Sequence, residues 1–198
     1  MKGFIGFYDY TVILTYLSLF SAVLGMDFAY RGEFTCAIVC LFMCGFCDAF
    51  DGAVARTKKN RTEDEKAFGI QLDSLCDVVA FGAFPAMLCH CMGVEGILGM
   101  ALVFFYSLCA LIRLAFFNVL EANRQKVEDG CNKSYRGLPV TSISIIFPVL
   151  YCLKGFLPEL AFTIVLYAML LIVGFLFILD FSVPKFNFQR LLPMLNRD

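Results

Sequence analysis

Charge is what this sequence has least of. Only 17% of its 198 residues are Asp, Glu, Lys or Arg, against about 25% in soluble globular domains. Residues 160–179 carry no charge at all, and about 20 such residues suffice to cross a bilayer. A soluble enzyme and a disordered chain are excluded on these grounds. Histidine is nearly missing as well. His90 stands alone, so there is no two-histidine zinc motif, and a serine–histidine triad would depend on that one residue. Neither sign of charge is in excess: the net charge is −1 and the pI near 5.8. That leaves no basic footprint for nucleic acid. Tryptophan is absent, and the apolar bulk comes from 23 Phe together with Leu, Ile, Val and Ala.

What is present is a chain that is 60% hydrophobic, with mean hydropathy +0.78. Its apolar residues fall into six segments, 10–28, 34–55, 67–92, 97–119, 138–153 and 160–179, bounded by charge, Gly or Pro. The expected fold is all-α: a polytopic membrane protein of six transmembrane helices. Pro139 and Pro148 interrupt the fifth segment, as membrane helices tolerate when neighbours satisfy the freed carbonyls. With both termini inside, the inner segments hold 13 Lys and Arg and the outer loops hold two, Arg31 and Lys154. The positive-inside rule therefore predicts cytoplasmic termini and long cytoplasmic loops around 56–66 and 120–137. The first span exceeds the 7–15 apolar residues of a signal core and is read as retained. No repeat or soluble domain interrupts residues 1–198, which read as one membrane domain. Residues 180–198 read as a cytoplasmic interfacial tail, with Pro184, Lys185, Phe186 and Phe188 giving it an amphipathic mix.

Ten cysteines might suggest a disulfide scaffold, but nine fall in apolar segments and only Cys131 in a polar loop. Free thiols are expected, behaving as small hydrophobes. Cys36, Cys40, Cys44 and Cys47 at helical spacing are read as packing residues. His90, between Cys89 and Cys91, is read as a satisfied interfacial histidine.

Four aspartates lie where a span normally excludes them: Asp48, Asp51, Asp73 and Asp77. Each costs about 2.5–3.5 kcal/mol at a helix centre on insertion scales. At about 100° per residue, Asp48, Asp51, Gly52, Ala55 and Arg56 share an arc of roughly 140°. Gly69, Asp73 and Asp77 share roughly 80° of the next helix. The second span descends to the cytoplasm and the third rises from it, so all four carboxylates reach a similar depth. Like charges at short range raise one another's pKa, and divalent cations are the obvious compensation. Oxygen-only ligation favours Mg²⁺, Mn²⁺ or Ca²⁺ over zinc, and two such ions suit displacement at phosphorus. Small Gly52 and Ala55 leave room for a ligand, and Arg56 offers a cation to phosphate oxygens.

The run Asp48-x₂-Asp51-Gly52-x₂-Ala55-Arg56, followed by Gly69-x₃-Asp73-x₃-Asp77, resembles the signature of the CDP-alcohol phosphotransferases. One departure is the twelve-residue spacer 57–68, longer than the family pattern commonly has and placed in a longer cytoplasmic turn. The resemblance implies six transmembrane helices, a homodimer and two divalent cations, Mg²⁺ or Mn²⁺, held by the four aspartates. It implies that a CDP-linked lipid gives its phosphatidyl group to an alcohol and releases CMP. Asp48, Asp51 and Asp73 would be chiefly metal ligands, while Asp77 would ligate and act as general base. Gly52, Ala55, Arg56 and Gly69 would bind the cytidine diphosphate.

Further stretches resemble the phosphatidylserine synthase branch: Phe68-Gly69-x₂-Leu72-Asp73-Ser74-Leu75-x-Asp77, Phe81-Gly82-x₂-Pro85, Arg113-Leu114-Ala115-x-Phe117-Asn118 and Gly137-Leu138-Pro139. Thr141 stands where that branch often has Pro. The implied substrates are CDP-diacylglycerol and L-serine at the cytoplasmic face of the cell membrane. Arg113 would hold a phosphate or the serine carboxylate by a bidentate contact; its alternatives are to partner an aspartate or snorkel to the interface. Asn118 is an acceptor-site candidate or a helix-end cap. Arg136, beside Gly137, is a second candidate or an ordinary positive-inside residue. Another alcohol acceptor and, from a different class, a divalent-cation transporter are the competing readings.

Overall fold

The computed structural model describes residues 5–55, 57–58, 60–126 and 134–184. These form helices α1 (Ile13–Tyr30), α2 (Phe34–Ala55), α3 (Glu63–Asp77), α4 (Phe84–Cys91), α5 (Gly96–Lys126), α6 (Ile143–Cys152) and α7 (Glu159–Ile178). A π-helical turn, Val78–Ala83, joins α3 to α4, so one continuous helical rod runs over Glu63–Cys91. The non-helical exception is a short antiparallel pair, β1 (Ser134–Arg136) with β2 (Ser182–Pro184), in which Tyr135 stands opposite Val183.

Among the described residues, five helices are long and apolar enough to cross a membrane: Tyr10–Tyr30, Phe34–Ala55, Glu63–Cys91, Gly96–Leu120 and Glu159–Ile178. The remaining expected span is shorter. Val140–Gly155 is apolar but below spanning length, built of a 3₁₀ turn, α6 with Pro148 inside it, and a second 3₁₀ turn. The exposure pattern is that of a multi-pass membrane protein. Phe20, Phe104, Ile164 and Ile172 lie on the outside, while Thr15, Ser18, Asp77, Arg113 and Ser144 are buried inside. In lipid, ionisable side chains turn to the bundle interior.

Local chemistry explains the boundaries. The third rod starts at Glu63, four residues before the apolar run, because Thr62 and Glu65 form a reciprocal capping box that satisfies two orphan backbone donors. α1 and α4 end alike, on a glycine with positive φ, Gly32 at 79° and Gly93 at 105°. In each, the next residue's N–H reaches back five residues, Glu33 to Phe28 and Val94 to Cys89, which is the glycine-terminated Schellman closure. The π turn has its own support. Pro85 has no N–H to offer the carbonyl of Phe81, and the fully buried Tyr106 hydroxyl donates to it at 2.8 Å.

The nine described cysteines are free thiols, and Cys131 lies outside the described residues. Cys40, Cys44 and Cys47 are buried on the packed face of α2, with Cys36 exposed. His90 Nδ1 pairs with the carbonyl of Val94 at 3.0 Å within the α4 turn. Phe7 stacks edge-on against Phe68 at 5.5 Å, so the N-terminal segment lies against the start of α3. The tail expected over 180–198 is described only to residue 184; Lys185, Phe186 and Phe188 lie outside the described residues.

Candidate active site

α2 and α3 bring the out-of-place aspartates together. One carboxylate oxygen each from Asp48, Asp73 and Asp77 lies within 4.8 Å of the other two. Asp77 is buried, and Asp48 and Asp73 are half-buried. Asp51 stands outside that trio but its side chain meets that of Asp73. Among the described residues, no ion pair involves any of the four. Three converging carboxylates in an apolar bundle, with no cation paired to them, fit a divalent ion by the chemistry of the donor set.

Two cavities open on this cluster. The larger, about 630 Å³, is walled by Asp48, Asp73 and Asp77 on one side and by Arg113, Phe117 and Asn118 of α5 on another. Pro139, Val140 and Thr141 complete it. The smaller, about 130 Å³, has Asp51, Asp73 and Gly69 with Thr11 and Thr15 of the first helical rod. Gly52, Ala55 and Ile70 line both. The small residues expected beside the carboxylates, Gly52 and Ala55, are therefore at the wall the two cavities share, where a larger side chain would take up space from one or both.

The expected acceptor-side residues divide. Arg113 is buried and lines the larger cavity. Its Nε donates to the carbonyl of Leu138 at 3.4 Å, its guanidinium carbon lies 6.0 Å from the centre of the Phe117 ring, and its acidic neighbour is Asp180. It is thus neither snorkelling nor paired with one of the four aspartates. Asn118 is no helix-end cap, because α5 continues to Lys126; its Oδ1 accepts from Ser74 Oγ at 2.7 Å. Arg136 is placed only by its backbone, opposite Ser182 in the β pair. Arg56 lies outside the described residues.

Sequence reasoning passed over Ser74, Phe117 and Thr141 as site residues, although all three stand in the motifs quoted or beside them. It also passed over Arg61. This arginine sits in the long α2–α3 turn, and its Nη2 donates to the carbonyl of Glu65 at 3.0 Å. The turn is anchored to the N-terminal segment by Lys58, whose Nζ contacts Asp9 at 2.9 Å and Glu65 at 3.2 Å. Asp9 in turn accepts from the backbone of Thr11 at 2.7 Å and from its hydroxyl. The hydrogen bond from Lys58, helped by those from Thr11, holds the Asp9 carboxyl down at about 2. The same contacts raise the Lys58 ammonium above its ordinary value.

The sequence profile of the CDP-alcohol phosphatidyltransferase family matches residues 10–179. The chain belongs to this family. Among curated relatives, it is 33% identical over 156 residues to a CDP-diacylglycerol–serine O-phosphatidyltransferase of Saccharomyces cerevisiae, covering 78% of this chain and 52% of that protein. It is 30% identical over 178 residues to an archaetidylserine synthase of Methanothermobacter thermautotrophicus, covering 87% and 68%. A CDP-diacylglycerol–serine O-phosphatidyltransferase of Methanocaldococcus jannaschii is 30% identical over 139 residues, 70% and 59% of the two chains. The chain therefore spans between about half and two thirds of the length of these CDP-alcohol phosphatidyltransferase relatives.

Proposed function

We propose that this protein transfers the phosphatidyl group of CDP-diacylglycerol to L-serine, giving phosphatidylserine and CMP. The observation that carries the reading is the carboxylate trio of Asp48, Asp73 and Asp77 at the edge of a cavity that also holds Arg113 and Asn118. Family membership supports phosphatidyl transfer, and the relatives named above share serine in their names.

Asp48, Asp51, Asp73 and Asp77 are the residues to hold two divalent cations, Mg²⁺ or Mn²⁺. When bound, these would neutralise charge on the entering and leaving oxygens of a displacement at phosphorus. Gly52, Ala55, Arg56 and Gly69 take the cytidine diphosphate, the small residues by leaving space. Arg113 orients serine through its carboxylate; its planar fork retains donors beyond the Nε that serves Leu138. Asn118 offers its amide nitrogen to the acceptor, its Oδ1 being used by Ser74, and Arg136 is the second cation assigned to the acceptor. Asp77, the most buried of the trio, takes the serine hydroxyl proton. The serine oxygen forms a bond to the β-phosphorus, the bond from that phosphorus to the CMP oxygen breaks, and CMP departs with the electron pair.

The whole chain serves as one membrane domain in this reading, with six passes, cytoplasmic termini and site, an interfacial tail over 180–198, and a homodimeric state. The test is turnover by purified protein given CDP-diacylglycerol, Mn²⁺ and a panel of alcohols. CMP release that requires serine is expected. Release with glycerol 3-phosphate or an inositol phosphate in its place would remove the acceptor assignment. Metal flux across vesicles without CMP release would replace the enzyme reading by transport.

A further inference from the structure

Arg61 belongs to the part of the α2–α3 turn that exceeds the family spacing, a stretch whose charges read from sequence as ordinary cytoplasmic polarity. Its side chain does not extend into water. The guanidinium folds back over the first turns of α3, and a Cβ added to Gly69 would stand 2.7 Å from its Nη2. It lines the smaller cavity together with Asp51, Gly52 and Asp73.

The donor count is incomplete. Arginine carries five N–H donors and no acceptor. Nη2 serves the Glu65 carbonyl, while Nε is buried and has no hydrogen-bond partner among the described residues. No ion pair joins Arg61 to Asp51 or Asp73 among those residues either. A buried donor left unpaired costs about 1–3 kcal/mol. The turn that carries it is nonetheless built, by the Thr62–Glu65 capping box and by Lys58 bridging Asp9 and Glu65. A guanidinium held in place beside a cavity, with donors to spare, matches the planar multi-oxygen face of a phosphate.

We infer that Arg61 is a substrate-binding residue that contacts the diphosphate of the cytidine nucleotide from the Gly69 side of the site. The inference rests on the nucleotide-binding reading above. It also changes the part assigned to Gly69, whose missing side chain admits the arginine that meets the nucleotide.

The test is the affinity of full-length protein in detergent with Mg²⁺ for CDP and for cytidine, wild type against R61Q, beside the melting temperature without nucleotide. Loss of a charge-assisted contact predicts CDP binding weakened about tenfold to a hundredfold, with cytidine affinity and melting temperature unchanged. Equal CDP affinity in the two proteins overturns the inference while leaving the nucleotide site standing. Parallel loss of CDP and cytidine binding with a lowered melting temperature also overturns it, since Arg61 would then only support the fold. Absence of CDP binding in the wild type removes the nucleotide site and this inference with it. R61K is the second variant should R61Q not fold. It keeps the charge but not the fork, so CDP binding weakened severalfold is expected and unchanged affinity is again fatal to the idea.

Discussion

Ser74 Oγ donates to Asn118 Oδ1 across 2.7 Å, linking the residue after Asp73 to the helix that carries Arg113. This is a side-chain bridge between the carboxylate wall and the opposite wall of the larger cavity. A bond of this kind contributes about 0.5–1.5 kcal/mol. Ser74→Ala and Asn118→Ala should therefore be non-additive in thermal unfolding, with a coupling of about that size in a double-mutant cycle. Strictly additive losses would mean that the two act separately.

Asp77→Asn removes the proposed base and keeps the shape. Turnover should fall by about 10²–10⁴, while CDP binding persists. Near-normal rates in that variant would shift the proton transfer to another group. Asp48→Asn and Asp73→Asn, by contrast, should raise the Mn²⁺ concentration needed for half-maximal rate.

Tyr106→Phe leaves the Phe81 carbonyl without its 2.8 Å donor where Pro85 cannot serve. The expected loss of stability is about 1–3 kcal/mol, read from thermal unfolding in detergent. Activity should fall as well, because the π turn begins at Val78, immediately after Asp77. A variant as stable as wild type would show that the carbonyl finds another donor.

Asp9 makes the N-terminal contact acid-sensitive. Its folded value of about 2 lies below the ordinary 3.8, so its contribution to stability is fully present above the ordinary value. It is lost as pH falls through the folded one. Wild type should lose stability between about pH 4 and pH 2 by an amount that Asp9→Asn does not show. The same acid slope in both proteins would place the titration elsewhere.

The carboxylate cluster of the candidate site is legible in the sequence. The spacing of Asp48, Asp73 and Asp77 puts them on facing stripes of consecutive helices, and apolar surroundings make such residues conspicuous. The segments that became α1, α2 and α7 were legible because each is a long apolar run with few or no charges and sharp ends. What escaped depends on partners distant in sequence. Tyr106 supports a turn begun 28 residues earlier, and nothing local to either segment announces it. Arg61 resembled any loop cation until Gly69 was seen to make room for it. Asn118 looked like the end of a helix because polar residues follow it, yet α5 runs on to Lys126. Val140–Gly155 was apolar enough to count as a full span, but 3₁₀ ends around a proline-containing core shorten it.

The β1–β2 pair imposes a rule of parity. Tyr135 faces Val183, and the neighbouring backbone bonds from Gly137 to Phe181 at 2.7 Å and from Leu138 to Leu176 at 3.3 Å continue the contact. Segments joined this way lie on the same face of a bilayer, so the chain between them makes an even number of crossings. α7 is long enough for one leg of that journey. In the six-pass reading proposed above, the other leg would fall to Val140–Gly155, whose short helix would then be met by a locally thinned bilayer or by polar groups drawn toward the interface.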